Sequence, residues 1–145
     1  MTSIRTGDFG NGPKGDLVIG TETEPVNGIE YAGAFTVLYG GDGDLGAEGG
    51  ALVTQASAGV PGSPQKDAFF GWIPFAADFG KEAYADLAVS AYRADVGTHK
   101  EAGEVLVAYA GPDGLRVDHM HMYTEDTPGI KGVAERMDHF GFSLR

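Results

Sequence analysis

The string His119-Met120-His121-Met122-Tyr123 gathers the side chains best suited to chemistry. In an extended strand alternate residues share a face, so His119, His121 and Tyr123 would project together. Two imidazoles at that spacing are a partial ligand set for a transition metal. Nothing nearby in sequence supplies an obvious third ligand, although the fold could bring in His99 or His139. A solvated or lightly packed strand edge accounts for the same string without a metal. Trp72, the only tryptophan, and Phe142 are candidate ligand contacts because flat aromatic surfaces stack on ligands, and Tyr123 joins them. Packing against neighbouring elements is the plainer role for all three. Asp42 and Asp44 with Glu48 could form a cation loop, but the Asp-Gly pairing there fits a turn better.

Most catalytic chemistry is thinly represented. There is no cysteine, which removes thiolate nucleophiles and disulfides. Ser63, in Gly62-Ser63-Pro64, lacks the Gly-x-Ser-x-Gly elbow, and neither a His-Glu-x-x-His motif nor a phosphate loop occurs. A pocket assembled from residues distant in sequence is the catalytic arrangement left open. The formal charge of −11 argues against a nucleic-acid partner, which is held mainly by clustered Lys and Arg. It is compatible with simple solubility or with cation binding. The sequence contains no apolar run long enough to cross a membrane as a helix, and no apolar core in its first residues. As written this points to the cytoplasm, or to secretion if a signal peptide has been removed.

These residues need elements to position them, and the elements recur. Laying residues 1–75 over 71–145 without a gap gives 17 identities, among them Asp8-Phe9-Gly10 with Asp78-Phe79-Gly80, Asp16-Leu17 with Asp86-Leu87, and Tyr39 with Tyr109. A fixed period marks a repeat architecture whose units cannot bury their apolar faces alone. Each repeat reads as four short strands. In the second they are Phe70 to Ala76, Asp86 to Ser90, Glu104 to Tyr109 and His119 to Thr124, with a turn at Gly111-Pro112-Asp113-Gly114. In the first, Asp16 to Gly20, Ala34 to Tyr39 and Ala51 to Gln55 are strands, and Gly40 to Asp44 is a turn. Helical periodicity is absent over any long stretch, so the class is all-β, and four-stranded units at this period suggest β-propeller blades. Pro74 belongs on a strand edge because it cannot donate to a ladder.

The run from Phe70-Gly71-Trp72 through Ala76-Ala77-Asp78-Phe79, followed by Tyr84-Ala85-Asp86-Leu87-Ala88-Val89, resembles the FG-GAP repeat of integrin-α-like β-propellers. Ala102-Gly103-Glu104-Val105-Leu106-Val107-Ala108-Tyr109 is similar to that repeat's third strand, and Thr127-Pro128-Gly129-Ile130 to Phe140-Gly141 resembles the approach to a further repeat. The resemblance covers essentially the whole chain: repeats at about 1–69 and 70–139, with 140–145 starting the innermost strand of another blade. It implies a calcium loop of the pattern Asp-x-Asp/Asn-x-Asp-Gly-x-x-Asp between strands one and two. The first and ninth positions survive as Asp8 and Asp16, and as Asp78 and Asp86. Gly10 and Gly80 stand at the third, Gly12 and Glu82 at the fifth, and Pro13 and Ala83 at the sixth, with Asn11 and Lys81 between ligand positions. Calcium is therefore an expected cation only for a degraded loop, no cofactor is required, and turn capping by these Asp residues is the competing account. The corner that follows, Gly20-Thr21-Glu22 and Ser90-Ala91-Tyr92, lacks the family's proline. The resemblance also sets Trp72 and Phe142 on innermost strands near a ring axis, and the His119–Tyr123 strand outermost.

Two blades do not close a ring, and the outer faces of such a pair would be left wet. Repeat units ordinarily need further units or polar caps, and neither repeat reads as a cap. The expected partner is a second copy of the chain, in a homo-oligomer with an even number of blades, or else the remainder of a longer propeller. Ser143-Leu144-Arg145 mirrors Ser3-Ile4-Arg5. A run Phe140–Arg145 that docks into a neighbour's first blade would staple the ring. The function expected is a non-catalytic binding or scaffold module recognising a small molecule, glycan or protein. The alternatives are a cofactor-independent enzyme of cyclase or isomerase type, with its pocket at the propeller centre or between blades, and a fragment without activity.

Overall fold

A computed structural model describes residues 2–80 and 82–144. Met1 and Arg145, at the ends of the mirrored terminal runs, and Lys81, within the second Asp loop, lie outside the described residues, as does the side chain of Glu48. The chain is all-β, with no helix among the described residues. Strands β1 (Thr2–Gly7), β2 (Asp16–Thr21), β3 (Ala34–Gly40) and β4 (Leu45–Val53) form one antiparallel sheet in chain order. Strands β5 (Trp72–Ala77), β6 (Asp86–Ala91) and β7 (Glu104–Ala108) are joined by β10 (His121–Tyr123) in a second, ordered β10-β7-β6-β5. A hairpin of β8 (Ala110–Gly111) and β9 (Gly114–Leu115) surrounds the Pro112-Asp113 turn.

The 70-residue period seen in sequence is also a period of hydrogen-bond register. Gly7 pairs with Asp16 and Ala77 with Asp86; Leu17 pairs with Leu38 and Leu87 with Ala108; Phe35 pairs with Val53 and Val105 with Tyr123. Loop backbone repeats too. Tyr31 and Glu101 have φ of 53° and 55°, and Phe69 and His139 have φ of 58° and 54°. These non-glycine residues in the left-handed region are uncommon, so their recurrence reflects one chain path drawn twice. The sequence between them is mostly different; the path is held by shared turns and by apolar strand positions.

Where the strands differ from expectation, local chemistry explains it. β4 begins at Leu45 rather than Ala51, with a register shift opposite Val37 and Tyr39, because the glycine-rich 45–50 segment can follow β3 back across a bulge. β10 is shorter than His119 to Thr124: the His119 amide donates to the Arg116 carbonyl at 3.1 Å, which holds His119 in a turn before the strand. Pro74 lies in β5, an edge strand, at an irregularity between Trp72 and Phe75.

The two sheets stack face to face. Along β2, buried and half-buried residues alternate, so one face of the first sheet is turned inward. Val18, Phe35, Val37, Tyr39 and Val53 from that face meet Leu87, Val89, Leu106 and Ala108 from the second sheet in a single apolar core. Phe35 and Phe70 have ring centroids 5.6 Å apart within it. Cross-sheet hydrogen bonds close the loops over the core: the Asn11 amide donates to the Pro112 carbonyl at 2.9 Å, and the Leu115 amide to the Tyr39 hydroxyl at 2.9 Å. Each large apolar side chain buried here contributes about 1.5–3 kcal/mol.

Candidate functional site

The Asp pair that recurs in each repeat divides into a buried and an exposed member. Asp16 is buried; its Oδ2 accepts from the Phe9 amide at 2.7 Å and its Oδ1 from the Gly40 amide at 2.9 Å. Asp86 repeats this, with Oδ2 accepting from the Phe79 and Gly80 amides at 2.9 and 3.0 Å and Oδ1 from the Ala110 amide at 2.8 Å. Each carboxylate thus ties the first loop of its sheet to the end of the third strand. Charge-assisted bonds of this kind are strong, and they commit both oxygens of each carboxylate to loop backbone. Asp8 closes a small turn by accepting from the Gly10 amide at 3.1 Å, and Asp78 and Glu82 are exposed. Among the described residues no three His, Asp or Glu side chains converge to hold a metal.

His119 and His121 come together as neighbours, with ring centroids 5.5 Å apart and edge-on, and His121 meets the Tyr109 ring at 5.5 Å. Both imidazoles are exposed. Tyr123, two residues beyond His121 in β10, is half-buried. Its hydrogen bond with Tyr109, followed by burial, raises the Tyr109 pKa. Asp42 and Asp44 line an open hollow of about 620 Å3 with Asn11 and Tyr39.

Trp72 and Phe142 are brought together, and they are part of a larger aromatic group. Their rings stack with centroids 6.1 Å apart and planes 19° apart, and the Trp72 Nε1–H donates to the Phe142 carbonyl at 3.1 Å. Tyr92 packs against both, at 5.0 Å from Trp72 and 5.2 Å from Phe142, and stacks on Phe69 at 5.8 Å. Phe69 continues to the half-exposed Tyr31 at 5.9 Å. The sequence places Trp72 at the start of β5 and Tyr92 just past the end of β6, so antiparallel pairing carries both rings to one end of the second sheet.

Beside these rings is a polar cleft of about 270 Å3 lined by Lys66, Asp67, Arg93, Asp95, Lys100, Glu101 and Arg136. Arg93 lies over the Phe69 ring at 5.5 Å and forks onto Glu101, with Nε and an Nη at 3.1 and 3.0 Å from its two oxygens. Arg93 and then His139, at 3.2 Å, hold the Glu101 carboxyl down to about 2. Lys100 at 2.6 Å lowers the Asp95 carboxyl. Burial raises the Tyr92 phenol. The combination of flat apolar rings with fixed charges and hydrogen-bonding groups suits a polar ligand that carries an apolar face.

Tyr92, Phe69 and the Arg93–Glu101 pair were not singled out from sequence. Tyr92 does sit in the corner Ser90-Ala91-Tyr92, where the first repeat has Gly20-Thr21-Glu22. Arg93 and Glu101 carry no such signal, since their counterparts in the first repeat are Thr23 and Tyr31. No protein-family model matches the chain, and no curated protein matches it.

Proposed function

We propose that the chain is a pair of FG-GAP-like β-propeller blades that serves as a non-catalytic binding or scaffold module. The observation carrying this reading is the recurrence, at a 70-residue offset, of pairings from all three strand pairs in two stacked four-stranded sheets, broken only at Trp72 and at the Leu45–Gly46 end of β4. The first strands of the two sheets, β1 and β5, lie against each other, as the inner strands of adjacent blades would. The remaining blades come from further copies of the chain. The aromatic end of the second sheet, with the Arg93–Glu101 cleft beside it, is the surface that recognises a ligand, and a glycan or small polar molecule with an apolar face fits its chemistry.

Trp72 is the only tryptophan, so its emission reports directly on this surface. Titration with a panel of oligosaccharides should change Trp72 fluorescence and raise the melting temperature while leaving the sugar chemically intact. Conversion of a bound sugar would replace this reading with the enzymatic one. No fluorescence response across the panel, together with a Trp72→Ala variant whose interactions are unchanged, would remove the surface as a binding site.

A further inference from the structure

The outer face of the second sheet carries an open apolar cleft of about 400 Å3. Val105, Val107, Tyr109 and Tyr123 line it, and these stand 70 residues after Phe35, Val37, Tyr39 and Val53. Phe79, Ala88, Ile130 and Phe140 complete it, and stand 70 after Phe9, Val18, Val60 and Phe70. All eight earlier residues are buried in the core between the two sheets. The cleft is therefore the half-built counterpart of that core, with its second wall missing.

The chain also carries a spare second wall. Within the core that wall is Leu87, Val89, Leu106 and Ala108. Seventy residues earlier stand Leu17, Ile19, Thr36 and Leu38, which are uncharged and half-buried on the outward face of the first sheet. The row is extended at its two ends by Ile4, 54 % exposed and paired with Ile19, and Leu52, 61 % exposed and paired with Thr36. Both surfaces lack charged side chains at these positions, so bringing them together desolvates no ion.

We propose that a second copy of this chain docks by its Leu17–Ile19–Leu38 face into the Val105–Val107–Phe140 cleft, repeating between chains the sheet contact that exists within one. The inference rests on the blade reading and adds which faces meet. The interface is heterologous: each copy has one donor face and one acceptor face, so contacts continue head to tail until the ring closes. Two, three or four copies would give four, six or eight sheets, within the range of about four to eight that propellers use. Leu144 now lies in the cleft where its counterpart two periods earlier, Ile4 of the incoming copy, would sit. Strand β1 is held by six register pairs and the 143–144 segment belongs to no strand, so Leu144 is the residue that yields.

The test uses two single variants, one on each face, in sedimentation velocity with circular dichroism to verify folding. Leu17→Asp disables only the donor face; Phe79→Asp, at a position 46 % exposed, disables only the acceptor face. Wild-type chain should sediment at two, three or four times 15.1 kDa. Each folded variant should be monomeric, with association weakened at least about a hundredfold. An equimolar mixture of the two should form a dimer and stop there, because each variant supplies the face that its partner lacks. Folded variants that keep the wild-type mass, or a mixture that stays monomeric, would overturn the proposal, as would a monomeric wild type. The blade reading is separable. It would fail if Phe35→Ala and Phe70→Ala left the unfolding of a monomeric variant unchanged, since the core inside one chain would then be absent.

Discussion

Replacing Glu104 by glutamine should abolish a pH dependence that the native chain carries between about pH 4.5 and 7. Glu104 opens β7 and is buried where the two sheets meet; its carboxylate accepts from the Gln55 amide, which follows β4. Burial is the larger influence and raises its pKa from 4.5 to about 7, against the opposing hydrogen bond from Gln55. The folded state then binds a proton more tightly than the unfolded chain. Below pH 4.5 both states hold it; as pH rises to 7 the unfolded chain gives it up first, and stability falls. Above pH 7 both are ionised and the loss is complete. The displacement from 4.5 to about 7 corresponds to about 3 kcal/mol. Urea unfolding of the native chain and Glu104→Gln at pH 5, 6, 7 and 8, at one protein concentration, reads this directly. The variant should lie within about 1 kcal/mol of the native chain at pH 5 and exceed it by up to about 3 kcal/mol at pH 8. Parallel profiles, or a variant uniformly weaker, would refute the claim that a buried, poorly compensated carboxylate sits between the sheets.

Phe70→Ala should destabilise the chain by about 3–5 kcal/mol in the same assay, because the ring is fully buried in the inter-sheet core; a loss below about 1 kcal/mol would contradict that core. Gly33→Ala should lose more than about 2 kcal/mol. Gly33 has φ of 91°, and a Cβ there would lie 2.1 Å from the Phe70 carbonyl oxygen, so an unchanged melting temperature would mean the chains do not approach this closely. Asp86→Ala should strand three backbone amides and lower stability by about 2–4 kcal/mol. Millimolar calcium should leave the native melting temperature in place because the Asp16 and Asp86 oxygens are already engaged; a rise of several degrees would show that the loops open for the ion.

The parts of the fold legible in sequence were those the repeat states twice. Asp16 and Asp86 recur with Leu17 and Leu87, and each opens the second strand of its sheet and ties a loop to it. The Gly-Pro-Asp-Gly turn became the β8–β9 hairpin, and Pro74 took a strand edge, because each residue type has a narrow conformational choice. Features found in one repeat alone were harder to read. Gln55 and Glu104 meet across the sheets, yet the residue one period before Glu104 is Ala34 and the residue one period after Gln55 is Glu125. The Arg93–Glu101–His139 network depends on loops that differ between repeats, so no pattern announces it. His119 shares an alternating string with His121, but a turn decides its place, and alternation says nothing about where a strand starts. Trp72 and Phe142 stood out in sequence as aromatic candidates, while Tyr92, which joins them, has Glu22 as its counterpart in the first repeat.

Native mass spectrometry of the unmodified chain reaches the central claim most directly, since exposed flanks that mimic an existing internal contact should be satisfied by other copies. A single closed species of two, three or four chains, each of 15.1 kDa, is the predicted spectrum. A lone 15.1 kDa particle persisting at tens of micromolar would show that these flanks rest in water without a partner.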